Sequence, residues 1–275
     1  MLVSSGWLNA HLYDADLVVL CIAANDGFYS AGHIPGARLI RLSEIATTRA
    51  GIPNQLPSVS QLQRVFQQAG IDNLSHLVLY GERSGVLAAR AYLTLDYLGL
   101  ADHAALLDGG IETWRAEHRQ ENVEVPPVAA SNLQVRARPE ILVDLAAMES
   151  YSRANPATRG AVLMDARPEP EYSGEKRSED VTETGHIPNA VSLFWRRTLQ
   201  SEDIPTLRSP TELQELFLAA GASPGKQVIT YCRTGMQSSF DYFVAKYLGY
   251  SARMYDASFY EWSLAGRPTE SAVKH

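Results

Sequence analysis

Long hydrophobic runs are missing from this chain. Stretches such as "LVVLCIAA" and "HLVLY" fall well short of the roughly 18 to 20 apolar residues that a membrane-spanning helix needs, so no membrane association is expected. The N-terminus, "MLVSSGWLNAHLYDADL", lacks the basic start, long apolar run and small-residue cleavage site of a secretory signal, and a cytoplasmic location is expected. Positive charge is also scarce: 24 Lys and Arg against 31 Asp and Glu leave a net charge of −7. No basic stripe interleaved with aromatics occurs, which argues against a nucleic-acid partner. An anionic ligand would need a local positive pocket. Cysteine is nearly absent. Cys21 and Cys232 lie one in each half of the chain, each in or after an apolar run, so neither a disulfide framework nor a CxxC metal site is suggested. No metal is expected, and each thiol has to be judged alone.

What is present is a duplication. The 275 residues, 45% hydrophobic and 20% charged, suit two medium domains. "AGHIPGARLI" (31–40) returns as "TGHIPNAVSL" (184–193), "HLVLYGERSGVLAARAYLTLDYLGL" (76–100) as "QVITYCRTGMQSSFDYFVAKYLGY" (227–250), and "LLDGGIETW" (106–114) as "MYDASFYEW" (254–262). The order is conserved between the halves, while the offset drifts from 153 residues at His33 and His186 to 148 at Trp114 and Trp262, as small loop insertions would make it. Between the halves "QENVEVPPVAASN" (120–132) has adjacent prolines and no amphipathic period, which reads as a linker with the boundary near residue 130. The domains expected are therefore 1–125 and 134–275, joined by 126–133.

Within each half, β-type runs alternate with segments of helical period. In the second half strands are expected near 161–165, 190–193, 227–231 and 252–255, with helices near 140–152, 210–220 and 238–248. This alternation predicts the α/β class: two tandem domains, each a mostly parallel sheet with helices on both faces. In such folds ligands bind beyond the carboxyl ends of the strands, and Cys232 stands one residue past one of them.

The residues after Cys232 are Arg233, Thr234, Gly235, Met236, Gln237 and Ser238. Gly235 permits a tight turn with positive φ. Apolar residues at Phe240, Phe243, Val244, Tyr247 and Leu248 mark a buried helical stripe, so the helix opens at about Ser238, a residue type favoured as an N-cap. A loop curling from strand into helix can aim backbone N–H groups inward, and the helix end adds partial positive charge. Such surroundings favour thiolate over thiol and would hold an anion or a persulfide. Arg233 adds fixed positive charge. The first half has Gly81 where the second has Cys232, so its loop, Glu82 to Gly85, has no nucleophile. One half is expected to be catalytic and the other not.

These features together resemble the tandem-domain rhodaneses, the thiosulfate/3-mercaptopyruvate sulfurtransferases, and in particular the bacterial thiosulfate type. The resemblance rests on "GHIPGA" (32–37), "GHIPNA" (185–190), "DARPEPEYSGEKR" (165–177), "CRTGMQS" (232–238) and "YDASFYEW" (255–262), and it spans essentially the whole chain. It implies that Cys232 is the nucleophile, that residues 233–238 bind the substrate, and that sulfur moves from a small anionic donor through a Cys232 persulfide. Cyanide, or a thiol such as glutathione or thioredoxin, would be the acceptor, with no organic cofactor. Arg233 followed by Thr234 shares its arginine with the thiosulfate type, whereas mercaptopyruvate enzymes typically have Gly there. Glu171 replaces the second arginine of the animal-type enzymes, which removes a partner for the carboxylate of mercaptopyruvate. Thiosulfate is thus the expected donor and 3-mercaptopyruvate the alternative.

Among other residues, Asp165 and Arg167 are expected to support the site, Asp165 structurally, with Cys21 as its inert counterpart. His33 and His186 recur in both halves, including the one without a nucleophile, and so read as turn-stabilising. Arg196 and Arg197 either reach the cleft and hold the donor's sulfonate or lie on a solvated face. Trp114 and Trp262 read as packing, and Ser258 as a candidate for the pocket wall. Two rivals of other kinds stand beside the sulfurtransferase. A cysteine phosphatase or arsenate reductase needs Cys-x5-Arg, and the sixth position here is Ser238. An inactive rhodanese-like binding module would have no use for Cys232 beside Arg233. A monomer is expected.

Overall fold

The computed structural model describes residues 1–272. The chain forms two compact units, and these do not follow the contiguous division expected at 126–133. One comprises Met1–Thr47, Leu56–Pro139 and Leu199–Leu207; the other comprises Thr48–Gln55, Glu140–Thr198 and the chain from Arg208 onward. Each half of the sequence therefore contributes a short segment to the unit built mainly from the other half. Hydrophobic periodicity carries no trace of this, because it reports which face of an element is buried and not which core receives it.

The first unit is built on β1 (Leu2–Val3), β2 (Leu17–Ala23) and β3 (Arg38–Arg41), continued after the excursion β4 (Thr47–Arg49) and β5 (Ile52–Gln55) by β6 (His76–Gly81) and β7 (Ala104–Leu107). Its five strands run β1-β7-β6-β2-β3, all parallel. The helix Val86–Tyr97 is buried at every residue from Val86 to Asp96. A strand such as "LVVLCIA" that is apolar without alternation is what a parallel sheet covered on both faces requires.

In the second unit β8 (Ala161–Asp165), β9 (Val191–Ser192), β10 (Gln227–Tyr231) and β11 (Ala252–Met254) form a parallel sheet of order β11-β10-β8-β9. Leu163, Ile229, Tyr231, Tyr255, Phe259 and Trp262 form its core, and burial of each large apolar side chain stabilises the fold by roughly 1.5–3 kcal/mol. The helix Pro210–Ala219 starts where its sequence says it should, with Pro at its first turn and a Ser209–Glu212 capping box. Register confirms the internal duplication: Cys21 pairs with Tyr80 across β2 and β6, and Asp165 pairs with Tyr231 across β8 and β10.

One buried group sits at odds with its surroundings. Asp241, inside the helix Gln237–Tyr247, is fully buried, and among the described residues neither carboxylate oxygen has a hydrogen-bond partner. Burial, assisted by the Asp165 charge, pushes its carboxyl well above the ordinary range. The unfolded chain ionises at the ordinary carboxylate pKa whereas the folded chain keeps the proton, so the stability from this group is full at acid pH. It declines as pH rises from the ordinary value toward the raised one, by about 1.4 kcal/mol per unit. Asp241→Asn is expected to lack this slope. Urea midpoints measured from pH 4 to pH 8 should show the variant gaining on the wild type by about 1 kcal/mol or more across that range. Parallel curves would mean that the carboxyl titrates normally.

Candidate active site

Strand β10 ends at Tyr231 and delivers Cys232 to a loop in which Gly235 has φ +81°. A Cβ there would lie 2.5 Å from the Asp256 carbonyl oxygen, so only glycine lets the loop close against the segment after β11. That segment anchors the backbone of Cys232. Ser258 Oγ accepts from the Cys232 N–H (3.2 Å) and donates to the Tyr255 carbonyl (2.9 Å). The Phe259 and Tyr260 N–H groups donate to the carbonyls of Cys232 and Arg233, both at 2.9 Å. Ser258, expected at the pocket wall, thus holds the loop from behind, itself in a left-handed conformation (φ 57°).

The helix opens one residue earlier than expected, at Gln237, with Met236 as its cap and no side-chain capping bond. Ser238 is therefore not the N-cap. Its hydroxyl is buried and donates to the Cys232 sulfur at 3.5 Å. Capping and sulfur contact compete for one short side chain, and here the sulfur has it. Among the described residues, the backbone N–H groups of Arg233, Thr234, Met236, Gln237 and Ser238 meet no protein acceptor. Unsatisfied donors in succession at a helix start form an anion site. Cys232 is only 1% exposed and Thr234 8%, while Arg233 and Gln237 are half-buried.

Arg233 is half-buried and its guanidinium donates to Glu179 at 3.2 Å, a carboxylate whose side chain is 87% exposed. Asp165 and Arg167 form a buried pair. Arg167 Nη2 lies 2.6 Å from Asp165 Oδ2 and also donates to the Gly185 carbonyl at 2.8 Å, with the guanidinium stacked 4.0 Å over the Phe259 ring. Burial opposes the Arg167 charge, but the adjacent Asp165 more than offsets this and raises its pKa above the ordinary value. Arg167 also reaches Ser178, whose hydroxyl donates to Glu171. The pair ties β8 to the Gly185 turn and to Phe259, which directly follows Ser258 in the segment that shapes the cysteine loop.

Arg196 stacks over the Trp195 ring at 5.1 Å, while Arg197 is exposed beside Arg208, Glu212 and Glu215. For Arg197 this is the solvated-face outcome. His33 and His186 occupy equivalent places: their Nδ1 atoms lie 3.0 and 2.8 Å from the carbonyls of Tyr29 and Tyr172, on whose rings they stack. Both fasten turns. Trp114 and Trp262 lie in the two cores, their indole N–H groups donating to the carbonyls of Gln120 and Pro268.

The first-half loop differs by more than a missing thiol. A Cβ at Gly81 would sit 2.4 Å from the Ile22 carbonyl oxygen, so no side chain fits without moving β2. Cys21 is fully buried, and burial pushes its thiol up to about 12. It is no nucleophile near neutral pH. Sequence reasoning missed Asn54, on β5, whose side-chain amide donates to Thr234 Oγ1 at 3.0 Å across 180 residues of chain. No local pattern in the sequence marks it.

The family model for the rhodanese-like domain matches twice, over residues 5–117 and 149–265. A sulfur carrier protein of Thermus thermophilus, TtuD, is 31% identical over 98% of this chain and 95% of its own length. Two Pseudomonas aeruginosa proteins are comparably similar: a thiosulfate sulfurtransferase (31%, covering 85% of this chain and 83% of that one) and a probable 3-mercaptopyruvate sulfurtransferase (30%, covering 95% and 94%). Among solved structures, the anaerobic ergothioneine biosynthesis enzyme of Chlorobium limicola shares the fold, with a TM-score of 0.83 at 24% identity over 99% of this chain and 70% of that one. Two copies of the domain, one with a cysteine in the loop after its strand and one without, place this chain in the rhodanese family of sulfurtransferases.

Proposed function

We propose that the chain transfers the sulfane sulfur of thiosulfate. The Cys232 thiolate attacks the outer sulfur, the S–S bond of the donor breaks with its electron pair leaving on sulfite, and a Cys232 persulfide remains. Cyanide or a thiol then attacks the terminal sulfur and restores the thiolate, a ping-pong cycle. The observation that carries this reading is the run of unaccepted N–H donors around Cys232, joined by the Ser238 hydroxyl at the sulfur itself. These groups suit an anion attached to the nucleophile, in the donor complex and as the persulfide.

Thiosulfate is favoured over 3-mercaptopyruvate by Arg233. Its resting partner, Glu179, is exposed, and such surface pairs hold by only about 0–1 kcal/mol, so a dianion can displace it. A carboxylate-bearing donor would further want the cationic side chain that Glu171 replaces, and Glu171 is engaged with Ser178. Steady-state rates with each donor, read as thiocyanate formed from cyanide, test the assignment. The expected result is a kcat/KM for thiosulfate about 10-fold or more above that for 3-mercaptopyruvate. Equal or reversed preference overturns the choice of donor.

A further inference from the structure

We propose that Asn54 is a positioning residue of the Cys232 site, supplied by the first half of the sequence, and that it orients the Thr234 hydroxyl as a donor to the sulfur-bound anion. This deepens the sulfur-transfer reading above and rests on it. The hairpin β4–β5 turns through Ala50 and Gly51, both with positive φ (50° and 79°), as a two-residue hairpin connection requires. From Thr48 to Gln55 it belongs to the same compact unit as Cys232. Ile52 packs against that unit's core and Gln55 is buried, so the strand carrying Asn54 is held from both sides. Asn54 itself has φ 58°, a left-handed conformation that asparagine tolerates better than most residues.

The amide donates to Thr234 Oγ1 at 3.0 Å. A hydroxyl has one hydrogen, and an oxygen that accepts from an amide directs that hydrogen elsewhere. Among the described residues no acceptor meets the Thr234 hydroxyl hydrogen, although the residue is only 8% exposed. Thr234 stands two residues from the nucleophile, among the backbone donors that also lack acceptors. A negatively charged donor, or the terminal sulfur of the persulfide, supplies the missing acceptor. Asn54 therefore sets the polarity of one member of the anion cradle without touching the substrate.

The variants that separate this from a packing role are Asn54→Asp and Asn54→Gly. Asparagine to aspartate preserves shape but replaces the donor by an acceptor, which turns the Thr234 hydrogen away from the sulfur and adds repulsion. Glycine keeps the left-handed backbone and deletes the amide. The single-turnover rate of sulfur loading from thiosulfate, followed by intact mass, is expected to fall about 10-fold or more in Asn54→Asp and about 3-fold or more in Asn54→Gly. Thermal midpoints of both should stay within a few degrees of wild type. In a Thr234→Val background the Asn54→Gly change should have no further effect on loading. Loading at the wild-type rate in both variants, or effects of Asn54→Gly and Thr234→Val that simply multiply, overturns the proposal. A wild-type protein that takes no sulfur at all would instead sink the sulfur-transfer reading, so the two failures are distinguishable.

Discussion

Replacing Cys232 with serine is expected to lower thiocyanate formation by on the order of 10⁴-fold or more while leaving the thermal midpoint within a few degrees of wild type. The exchange conserves shape at a position 1% exposed, between a strand end and a segment that pins its backbone. Chemistry, not packing, changes: a serine hydroxyl is a poor nucleophile toward sulfane sulfur and cannot carry a persulfide. No other thiol can take over. Cys21, the second cysteine, is fully buried in the first unit's core, and burial pushes its thiol up to about 12. Steady-state assays of the variant beside its melting curve check both halves of the expectation, and retained activity would move the nucleophile away from Cys232.

The largest effect on stability is expected at Asp165. The carboxylate and the Arg167 guanidinium are both essentially excluded from solvent, joined by hydrogen bonds of 2.6 to 3.1 Å. A buried pair of this kind contributes little beyond an apolar substitute, yet removing one partner leaves the other charge uncompensated in a low-dielectric core. Asp165→Asn removes the negative charge and keeps the shape, so the expected loss is about 3–5 kcal/mol, read as a fall in urea midpoint. Because neither residue hydrogen-bonds the cysteine sulfur, kcat of the variant at a temperature where it remains folded should change far less than that of Cys232→Ser. A loss below about 1 kcal/mol joined to a large fall in kcat would reverse the assignment and make the pair catalytic.

Much of the site can be read from the sequence because its signals are local. A β-branched run ending in Tyr231, a cysteine, a glycine four residues after that tyrosine and a helical stripe from Phe240 are all contiguous, and the structure places them in a strand, loop and helix. The duplication supplied an internal comparison. His33 and His186 could be assigned to turns because one of them lies in a half without a nucleophile, and both fasten to a tyrosine carbonyl. Other features depend on contacts between distant parts of the chain. The hairpin carrying Asn54 has no pattern that announces the core it joins, and its partner Thr234 lies 180 residues away. Ser238 looks like a cap by residue type, yet its hydroxyl donates to the Cys232 sulfur. Asp241 lies in a helix buried at every residue from Ser238 to Ala245, which its own polarity does not announce.

The central claim is that Cys232 carries sulfur as a persulfide in a cradle of backbone and hydroxyl donors. Intact-protein mass spectrometry after incubation with thiosulfate tests it most directly. The wild type should gain the mass of one sulfur atom and lose it on addition of cyanide, and Cys232→Ser should show neither change. An unchanged wild-type mass, or a sulfur adduct that persists in Cys232→Ser, would contradict the account.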